Sequence, residues 1–537
     1  MFRKSVPATA PRRTGRTRAA LAACIGVGLV LSACTGTSAQ PDSTSFTYSL
    51  SSAPISLDMA KDFGPTTETI TPLVTEPLER ISTSGQLTPN VATAVKQPDP
   101  TTLVYTLRSG IKFSDGNPLT ADDVAWSINH AATQPAQTAG DITAFRGVAV
   151  TGPLEVTVKL KEPDPAARGK LALITSVQEA KFAKEHATDL GARTALPVGS
   201  GPYVYSSFAT NAVTLKPNKY FWGQRPTWKN MTFSFIDTDT SAQLAMRSDS
   251  IGGASVSDLK TASNWKSAGA TLYASPTLQS QYLSLNTSVA PFSDVHVRKA
   301  IAYSIDRTGI LSSAYGTYGN LLKGLVVPQT VANVAPSAEA ATQFVGQLPQ
   351  YGFDPTKAAS ELAQSSVPHG FTVTVPYPTS FPWSELTLLN LRQNMKKLGV
   401  TVNLKPVTQN QWLTSVFGQQ NTGIQIGLAG ADVPDPNGLL NGMVGRVNMG
   451  PQHFNTTSWT TPTVERALPI LSTSSTSTDR WSAAKTILAQ VATEVPYVPL
   501  FSPNNVVALA KGYKFTKKVD YFDMINGSWV YDLKVAS

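Results

Sequence analysis

The closest approach to a catalytic motif in this chain of 537 residues is a pair of Ser-x-x-Lys tetrads. They occupy Ser263–Lys266 and Ser482–Lys485, a spacing that places a serine nucleophile beside a lysine in penicillin-binding-type serine hydrolases. The companion triplets Ser-Asp-Asn and Lys-Thr-Gly do not occur. The chain also lacks Gly-x-Ser-x-Gly, His-Glu-x-x-His and a phosphate-binding loop. Serine hydrolysis is therefore only the remote alternative, and we do not expect an enzyme.

The sequence does not support metal or thiol chemistry any better than it supports serine hydrolysis. The two cysteines, Cys24 and Cys34, both lie near the N-terminus, so the body of the chain has no thiol nucleophile and no disulfide. No metal site and no cofactor are expected, because the spacing of the five histidines is not that of metal ligands. They are His130, His186, His296, His369 and His453.

The first 33 residues are typical of a secretory signal. Six basic residues and no acidic one precede position 34, and the apolar run Ala19–Leu31 is too short to span a membrane in the mature protein. The end of the run, Leu31–Cys34, resembles the bacterial lipoprotein box, in which the cysteine is lipidated and becomes the first mature residue. An ordinary signal peptide with a chance cysteine is the alternative, and Arg12–Arg13 leaves Sec or twin-arginine export open.

The resulting expectation is a protein anchored by lipid at Cys34 to the outer face of the cytoplasmic membrane. The small and polar residues that follow, up to position 45, predict a flexible tether. The signal also accounts for most of the formal charge of +9, since without it 38 basic residues face 35 acidic ones, a net charge of +3. No nucleic-acid partner is expected, because nucleic-acid binders concentrate basic residues on one face.

Local patterns predict a mixed α/β chain, and its length predicts two or three domains. Strict alternation between Leu154 and Leu160 indicates a strand, and Thr120 is predicted to cap a helix. Strand Phe371–Val375, a helix and strand Val400–Leu404 form a β-α-β unit, which favours a parallel sheet in the second half.

Two other segments are less regular. Glu68–Arg80 is predicted to be a helix broken by two prolines, and Thr330–Gly352 a surface excursion. The central stretch Gln281–Arg307 combines a strand, a turn and a helix whose apolar positions form one stripe. Its basic residues lie off that stripe, so we expect them on a solvated face.

Short signatures follow one another along nearly the whole mature chain, from about Phe46 to Trp529. They are Thr75–Leu78, Leu107–Gly116 with Thr120–Val124, Gly201–Tyr203, Asn286–Thr287 with Phe292–Ala300, Asp432–Pro436 and Pro496–Leu500. In this order, behind a lipoprotein box, the set resembles the peptide/nickel-type extracellular solute-binding proteins of ABC importers (family 5, cluster C).

The resemblance implies an α/β, two-lobed periplasmic-binding-protein fold (type II, cluster C) with an extra subdomain in lobe I. It places lobe I at residues 46–286, with the subdomain at about 87–185, lobe II at 287–502, and a return to lobe I at 503–537. The ligand would lie in the cleft between the lobes, which close over it by hinge motion.

The same resemblance implies a function. A monomeric receptor would capture peptides or peptide-like solutes outside the membrane and deliver them to the permease subunits of an ABC transporter. The alternative is the same role for a non-peptide solute, such as an oligosaccharide, an opine-like compound or a nickel chelate.

Asp432 is the leading candidate for ligand contact. It follows strand Ile424–Leu428, at the carboxyl end where open α/β sheets place ligands. In peptide-binding members an Asp at the matching position holds the ligand's α-ammonium, whereas the structural alternative is that it only shapes its proline-rich loop. Two departures disfavour a free dipeptide: no Trp precedes Asp432, and Tyr377–Phe381 contains no cation for the ligand carboxylate.

Five further residues are predicted to approach the ligand. Phe381, Trp383 and Trp412 are expected to line the cleft, with a core role as the alternative for each. Tyr282 and Asn286 lie near the expected crossing between the lobes and are predicted to reach the ligand from there.

Overall fold

The computed structural model describes residues 44–418 and 423–536. The predicted signal, Cys34 and most of the tether lie outside these residues. The described part contains twenty strands: β1 (Ser45–Leu50), β2 (Glu79–Ile81), β3 (Leu87–Pro89), β4 (Ala92–Asp99), β5 (Thr102–Leu107), β6 (Phe145–Gly152), β7 (Glu155–Leu160), β8 (Tyr203–Phe208), β9 (Ala212–Pro217), β10 (Asn230–Phe235), β11 (Gly253–Ser255), β12 (Ala270–Pro276), β13 (Gln279–Leu285), β14 (Gly319–Leu321), β15 (Thr372–Pro378), β16 (Thr401–Val407), β17 (Ile424–Gly430), β18 (Tyr497–Ala510), β19 (Tyr513–Phe515) and β20 (Leu533–Val535).

The same residues form eighteen α-helices. They are α1 (Pro65–Ile70), α2 (Ala121–Ala132), α3 (Ala167–Ile174), α4 (Ala180–Glu185), α5 (Asp239–Arg247), α6 (Ser263–Ser267), α7 (Val295–Tyr303), α8 (Arg307–Tyr315), α9 (Pro328–Val331), α10 (Ala338–Gln347), α11 (Pro355–Ala363), α12 (Pro382–Lys396), α13 (Gln409–Phe417), α14 (Pro436–Val444), α15 (Pro462–Thr473), α16 (Ser477–Glu494), α17 (Tyr521–Ile525) and α18 (Trp529–Asp532).

Strand β18 joins the two halves of the largest sheet, whose order is β17-β13-β18-β11-β1-β10-β9-β8. Its first residues pair with β13 and β14, whereas Asn504–Ala510 pair with β12 and Val507–Leu509 with β11, all antiparallel. The consecutive strands β12 and β13, which both run antiparallel to β18, therefore lie in different halves. The chain passes between the halves at residues 277–278 and again near Pro503, while the predicted lobe boundary at 286–287 stays a prediction.

A separate antiparallel sheet, β4-β5-β7-β6, forms within the first half of the chain. The alternation predicted for β7 is confirmed, because Val156, Val158 and Leu160 are all buried in one core with α2 and α3. Helix α2 begins in a capping box in which Thr120 and Asp123 bond each other's backbone amides, as the N-cap prediction required. This core is distinct from the one under β1, β9 and β10.

The β-α-β prediction is confirmed: β15 and β16 pair in parallel on either side of α12. Helix α12 buries Leu388, Leu391 and Met395 against the core that also contains both strands. Strand β17 does not extend this pair but runs antiparallel to β13. The parallel arrangement is therefore local.

Two predictions about local structure are wrong. Thr330–Gly352 is not an excursion, because it contains the end of α9 and the whole of α10, whose Ala341 and Val345 are buried. In Glu68–Arg80, α1 ends at Ile70, next to the predicted break at Pro72, but the helix does not resume: a 3-10 turn covers Thr71–Leu73 and β2 begins at Glu79.

The basic residues of the central stretch do not form a solvated face. Arg298 is only 3% exposed and donates to the carbonyls of Phe292, Ser293 and Glu494. Arg307 donates to carbonyls that include that of Pro499, and burial lowers its pKa. A guanidinium carries five hydrogen-bond donors, so carbonyl oxygens can take the place of the water molecules that would otherwise solvate it. The spacing of apolar residues along a helix does not predict this kind of burial.

A buried ion pair fixes the start of α14. Asp435, the N-cap residue, accepts from the amide of Asn437 at 2.9 Å and from the Nδ2 of Asn333 at 2.8 Å. Arg480 of α16 donates to both of its carboxylate oxygens, at 2.7 and 2.9 Å. Both charged residues are more than nine-tenths buried, so removal of one partner leaves the other charge unpaired and poorly solvated.

We predict that Arg480→Ala lowers the free energy of unfolding by about 3–5 kcal/mol, because Asp435 would keep a buried charge without its partner. Urea denaturation measures the loss. The matched control is Lys485→Ala in the same helix, where the half-buried Lys485 lies over the ring of Trp481 and should contribute less than about 1 kcal/mol. Equal losses for the two variants would contradict the prediction.

Candidate functional site

The loop that carries Asp432 connects β17 to α14. Its C-terminal end is held by the Asp435–Arg480 pair and by a tight turn in which the amide of Asp435 donates to the carbonyl of Val433 at 2.6 Å. Val433 is buried, and Ala431 packs against the same apolar cluster. Asp432 therefore lies on a backbone fixed on both sides.

That apolar cluster gathers residues from distant parts of the chain. Val433 packs with Ile81, Ala166 and Ile525, which belong to the first half and to the C-terminal return. Gly85, with a φ of +78°, lies against Pro434: a Cβ built there would be 3.3 Å from the Pro434 carbonyl oxygen and 2.9 Å from the Cβ of Asn333. Segments expected in lobe II thus contact segments expected in lobe I around Asp432.

Asp432 combines exposure with desolvation. The residue is exposed to solvent, yet surrounding protein raises the pKa of its carboxyl by desolvation, an effect that the charge of Lys170 opposes. These two facts agree when a side chain lies in a cleft, open to water on one side and walled by protein on the others. Among the described residues, its only hydrogen-bond donor is its own backbone amide.

Two further carboxyls share this environment. Burial raises the pKa of Glu68 to about 7, and the charges of Asp432 and Asp141 contribute to the rise. Burial and the charge of Asp432 likewise raise the pKa of Asp141 to about 6, against the effect of Lys170. Glu68 is 7% exposed, and one oxygen of Asp141 is buried with no hydrogen-bond partner in the described chain.

Helix packing explains why these groups meet. Phe63, just before α1, donates its backbone amide to Gln137 at 3.0 Å, which brings the 3-10 turn before Asp141 beside the start of α1. Helix α17 packs against α1, and its first residue is Tyr521. Burial and the charges of Glu68 and Asp432 raise the pKa of Tyr521 above its usual range.

Lys170 enters from α3, where it forms an ion pair with Asp164 at 2.8 Å. Its neighbour Gly169 approaches the loop, since a Cβ there would lie 3.7 Å from the Cβ of Val433. The sequence analysis did not identify Glu68, Asp141, Lys170 or Tyr521 as site residues. No local pattern marks them, because they come from separate elements and meet only in the fold.

The three predicted aromatic residues lie together. The ring of Phe381 stacks on Trp383 at 6.3 Å and meets Trp412 edge-on at 5.4 Å. Both tryptophans are at most 5% exposed, and the indole nitrogen of Trp412 donates to the carbonyl of Ile426 in β17. Phe381 is half-buried. These contacts give the aromatics a packing role, and their contact with ligand stays a prediction.

Tyr282 and Asn286 lie on or just after β13. The ring of Tyr282 lies across Gly427 and meets Tyr497 edge-on at 5.2 Å, and burial raises the pKa of its hydroxyl. Asn286 is 3% exposed and accepts bonds from the amide and hydroxyl of Ser288, so it shapes a turn. A ligand role for either residue also stays a prediction.

The structure gives less support to other candidate sites. A cavity of about 640 Å³ opens beside α2, lined in part by Trp126, His130 and Pro135, but it does not include Asp432, Glu68 or Asp141. Within residues 44–418 and 423–536, no His, Cys, Asp and Glu side chains are grouped so as to hold a metal ion. Ser263 and Ser482 of the two tetrads are exposed on helices. In the described chain no helix is long and apolar enough to cross a membrane.

Comparison with known proteins gives a consistent picture. The family model for bacterial extracellular solute-binding proteins, family 5 Middle, matches residues 86–451. The glutathione-binding protein GsiB of Salmonella typhimurium is 24% identical over 428 residues, which cover 77% of this chain and 80% of that protein. Proteins of this family bind solutes for ABC importers and are not enzymes.

Solved structures share the architecture. The ABC transporter substrate-binding protein CtaP of Listeria monocytogenes superposes with a TM-score of 0.77 at 20% identity, covering 92% of this chain and 99% of CtaP. AgaA of A. tumefaciens R10, solved with agropinic acid, gives a TM-score of 0.71 at 20% identity, covering 92% of this chain and 99% of AgaA. The expected two-lobed α/β fold is confirmed.

Because Glu68 is buried without a partner in the part of the chain that the structure describes, we expect an unusual dependence of stability on pH. Its pKa in the folded chain, about 7, is above the usual 4.5, so the folded state binds the proton more tightly and loses stability as the pH rises through this window. We expect Glu68→Gln to raise the unfolding free energy of the ligand-free protein by on the order of 1–3 kcal/mol at pH 8 and little at pH 4.

Urea denaturation at the two pH values tests this expectation. Glu162→Gln, which removes one charge from an exposed position of the same half of the chain, is the control and should change stability little at either pH. A Glu68→Gln effect of equal size at pH 4 and pH 8 would show that the carboxylate charge is not the cause.

Proposed function

Because this chain belongs to the family 5 bacterial extracellular solute-binding proteins, we propose that it captures peptides or peptide-like solutes with a free amine. The bound solute would then pass to the permease subunits of an ABC importer. The observation that carries this proposal is Asp432: a solvent-accessible carboxylate, desolvated by its surroundings, whose only hydrogen-bond donor within the described part of the chain is its own amide.

An ammonium group is the natural partner for such a carboxylate. The pair makes a charge-assisted hydrogen bond, which is shorter and stronger than a bond between neutral groups. Protein on several sides of Asp432 reduces the screening by water and strengthens the attraction. The fixed backbone of the loop reduces the conformational entropy lost when the ligand binds, because Asp435 already holds it through Arg480.

The relatives support a peptide-like ligand without deciding it. GsiB is named for binding glutathione, a modified tripeptide with a free amino group. AgaA was solved with agropinic acid, which favours the opine-like alternative. An oligosaccharide or a nickel chelate remains a further alternative, and neither requires a carboxylate at Asp432 to accept a cation. Mass spectrometry of ligand that co-purifies with the protein separates these classes.

The location proposed for this receptor is the outer face of the cytoplasmic membrane. The family is extracellular, which agrees with the export signal, and Cys34 follows the apolar run as in a lipoprotein box. Several acyl chains on one residue would hold the protein there, since each buried methylene contributes roughly 0.8 kcal/mol. A monomer is proposed.

We expect Asp432→Asn to weaken binding of an amine-bearing ligand by about tenfold or more, which corresponds to at least about 1.4 kcal/mol. Isothermal titration calorimetry with the co-purified ligand measures the change. Asp237→Asn, which removes a charge from an exposed residue with no described bond, is the control and should bind as the unaltered protein does. Unchanged affinity in Asp432→Asn would overturn the amine anchor.

Cys34→Ala tests the membrane anchor. The variant should leave the membrane fraction and appear in the soluble extracytoplasmic fraction, because the acyl chains can no longer be attached. Fractionation and immunoblotting give the distribution, with Cys24→Ala as the matched control that keeps the lipidated residue. Retention of Cys34→Ala in the membrane would count against lipidation at this position.

A further inference from the structure

The surroundings of Asp432 contain more negative charge than one ammonium group would neutralise. Glu68 reaches them from α1, Asp141 from the end of the turn after α2, and Asp432 from the loop after β17. The bond from the Phe63 amide to Gln137 brings the segments of Glu68 and Asp141 together. The charges of Asp141 and Asp432 raise the pKa of Glu68, and the charge of Asp432 raises the pKa of Asp141, which agrees with three neighbouring carboxyls. The neutral Tyr521 faces the same space from α17.

Cations from the protein do not balance this set. Lys170 is the cation whose charge reaches Asp141 and Asp432, but its ammonium is already paired with Asp164 at 2.8 Å. No described residue donates a hydrogen bond to the side chains of Glu68 or Asp141. A protein that had no use for these carboxyls would be more stable with amides or apolar groups in their place.

Glu68 provides the observation that points to a ligand. It is more than nine-tenths buried and has no hydrogen-bond partner among the described residues, and the charges of Asp141 and Asp432 reach it. One carboxylate oxygen of Asp141 is also buried without a partner in the described chain. Buried polar groups in proteins are satisfied in the great majority of cases, and the usual explanation for an exception is function. The three carboxyls come from three separate elements, so a ligand with separated positive charges fits them.

We propose that the ligand carries at least two positive charges, the first received by Asp432 and the second by Glu68 together with Asp141. This inference rests on the proposed function, because it places the second charge in the same binding site. It narrows the substrate class to peptides with Lys or Arg near the amino terminus, or to other amine-rich solutes of similar charge.

Matched tetrapeptides test the second charge. Lys-Ala-Ala-Ala and Ala-Lys-Ala-Ala carry two ammonium groups, and the same peptides with norleucine in place of Lys keep the side-chain length but only one. Calorimetry at pH 7.5 should show at least tenfold tighter binding of one Lys peptide than of its norleucine match. In Glu68→Gln and in Asp141→Asn that ratio should fall below about threefold.

Control variants and a control ligand distinguish the effect of the ligand's second charge from general effects on binding. Glu162→Gln should keep the ratio of the unaltered protein, since its side chain is exposed and has no described partner. Asp432→Asn should weaken both members of each peptide pair. The diamine 1,5-diaminopentane, added as a probe without a peptide bond, tests whether two charges suffice.

A dependence on pH gives a second readout. The Lys ammonium stays charged well above pH 8, whereas Glu68 and Asp141 take up protons near pH 7 and 6 in the ligand-free protein. Affinity for the preferred Lys peptide should therefore fall at least tenfold from pH 8 to pH 5.5. The norleucine peptide should change less, because it does not use these two carboxylates.

The outcomes distinguish the two proposals. If Asp432→Asn leaves every peptide unaffected, the proposed amine anchor fails. If Asp432→Asn weakens all peptides but Lys and norleucine peptides bind equally to the unaltered protein, only the second charge is overturned. If the diamine binds in a Glu68-dependent way and no peptide binds, the result supports a site for a second positive charge and overturns the proposal that the ligand is a peptide. Failure of every dicationic probe to bind overturns the inference.

Discussion

A single strand, β18, is the constraint on which the architecture depends. Fourteen consecutive residues hydrogen-bond to β13 and β14 at one end and to β11 and β12 at the other, so both halves of the largest sheet share one backbone. A shift of one residue in its register would move its side chains to the opposite face in both halves together. The relative position of the halves is thus linked to the pairing of one segment.

The site depends on this link. Asp432 follows β17, which is attached through β13 to the first half of β18. Helices α1 and α17, which carry Glu68 and Tyr521, pack through Ile70 and Met524 into the core of the opposite half. The shared strand is one of the contacts that keep these carboxyls close enough for their charges to interact. Their mutual repulsion is tolerated there because the surrounding apolar cluster and the Asp435–Arg480 pair stabilise the same arrangement.

Predictions from the sequence were correct where neighbouring residues alone determine the local structure. The Thr120 cap and the β15-α12-β16 unit follow from neighbouring residues, and the short signatures identified the fold. Sequence patterns did not reveal α10, although five of its ten residues are apolar, or the burial of Arg298, which depends on carbonyls from distant segments. Asp432 was predicted through the family resemblance and stays a prediction, whereas Glu68 and Asp141 carry no signal in the sequence.

The contact at Gly85 has a consequence for the loop that carries Asp432. With only a hydrogen atom there, backbone meets backbone at Pro434, and the approach of the two segments stops at atoms that no side-chain rotation can move. A side chain at position 85 would hold the two segments further apart, so the packing around Asp432 relies on a glycine about 350 residues away in the chain.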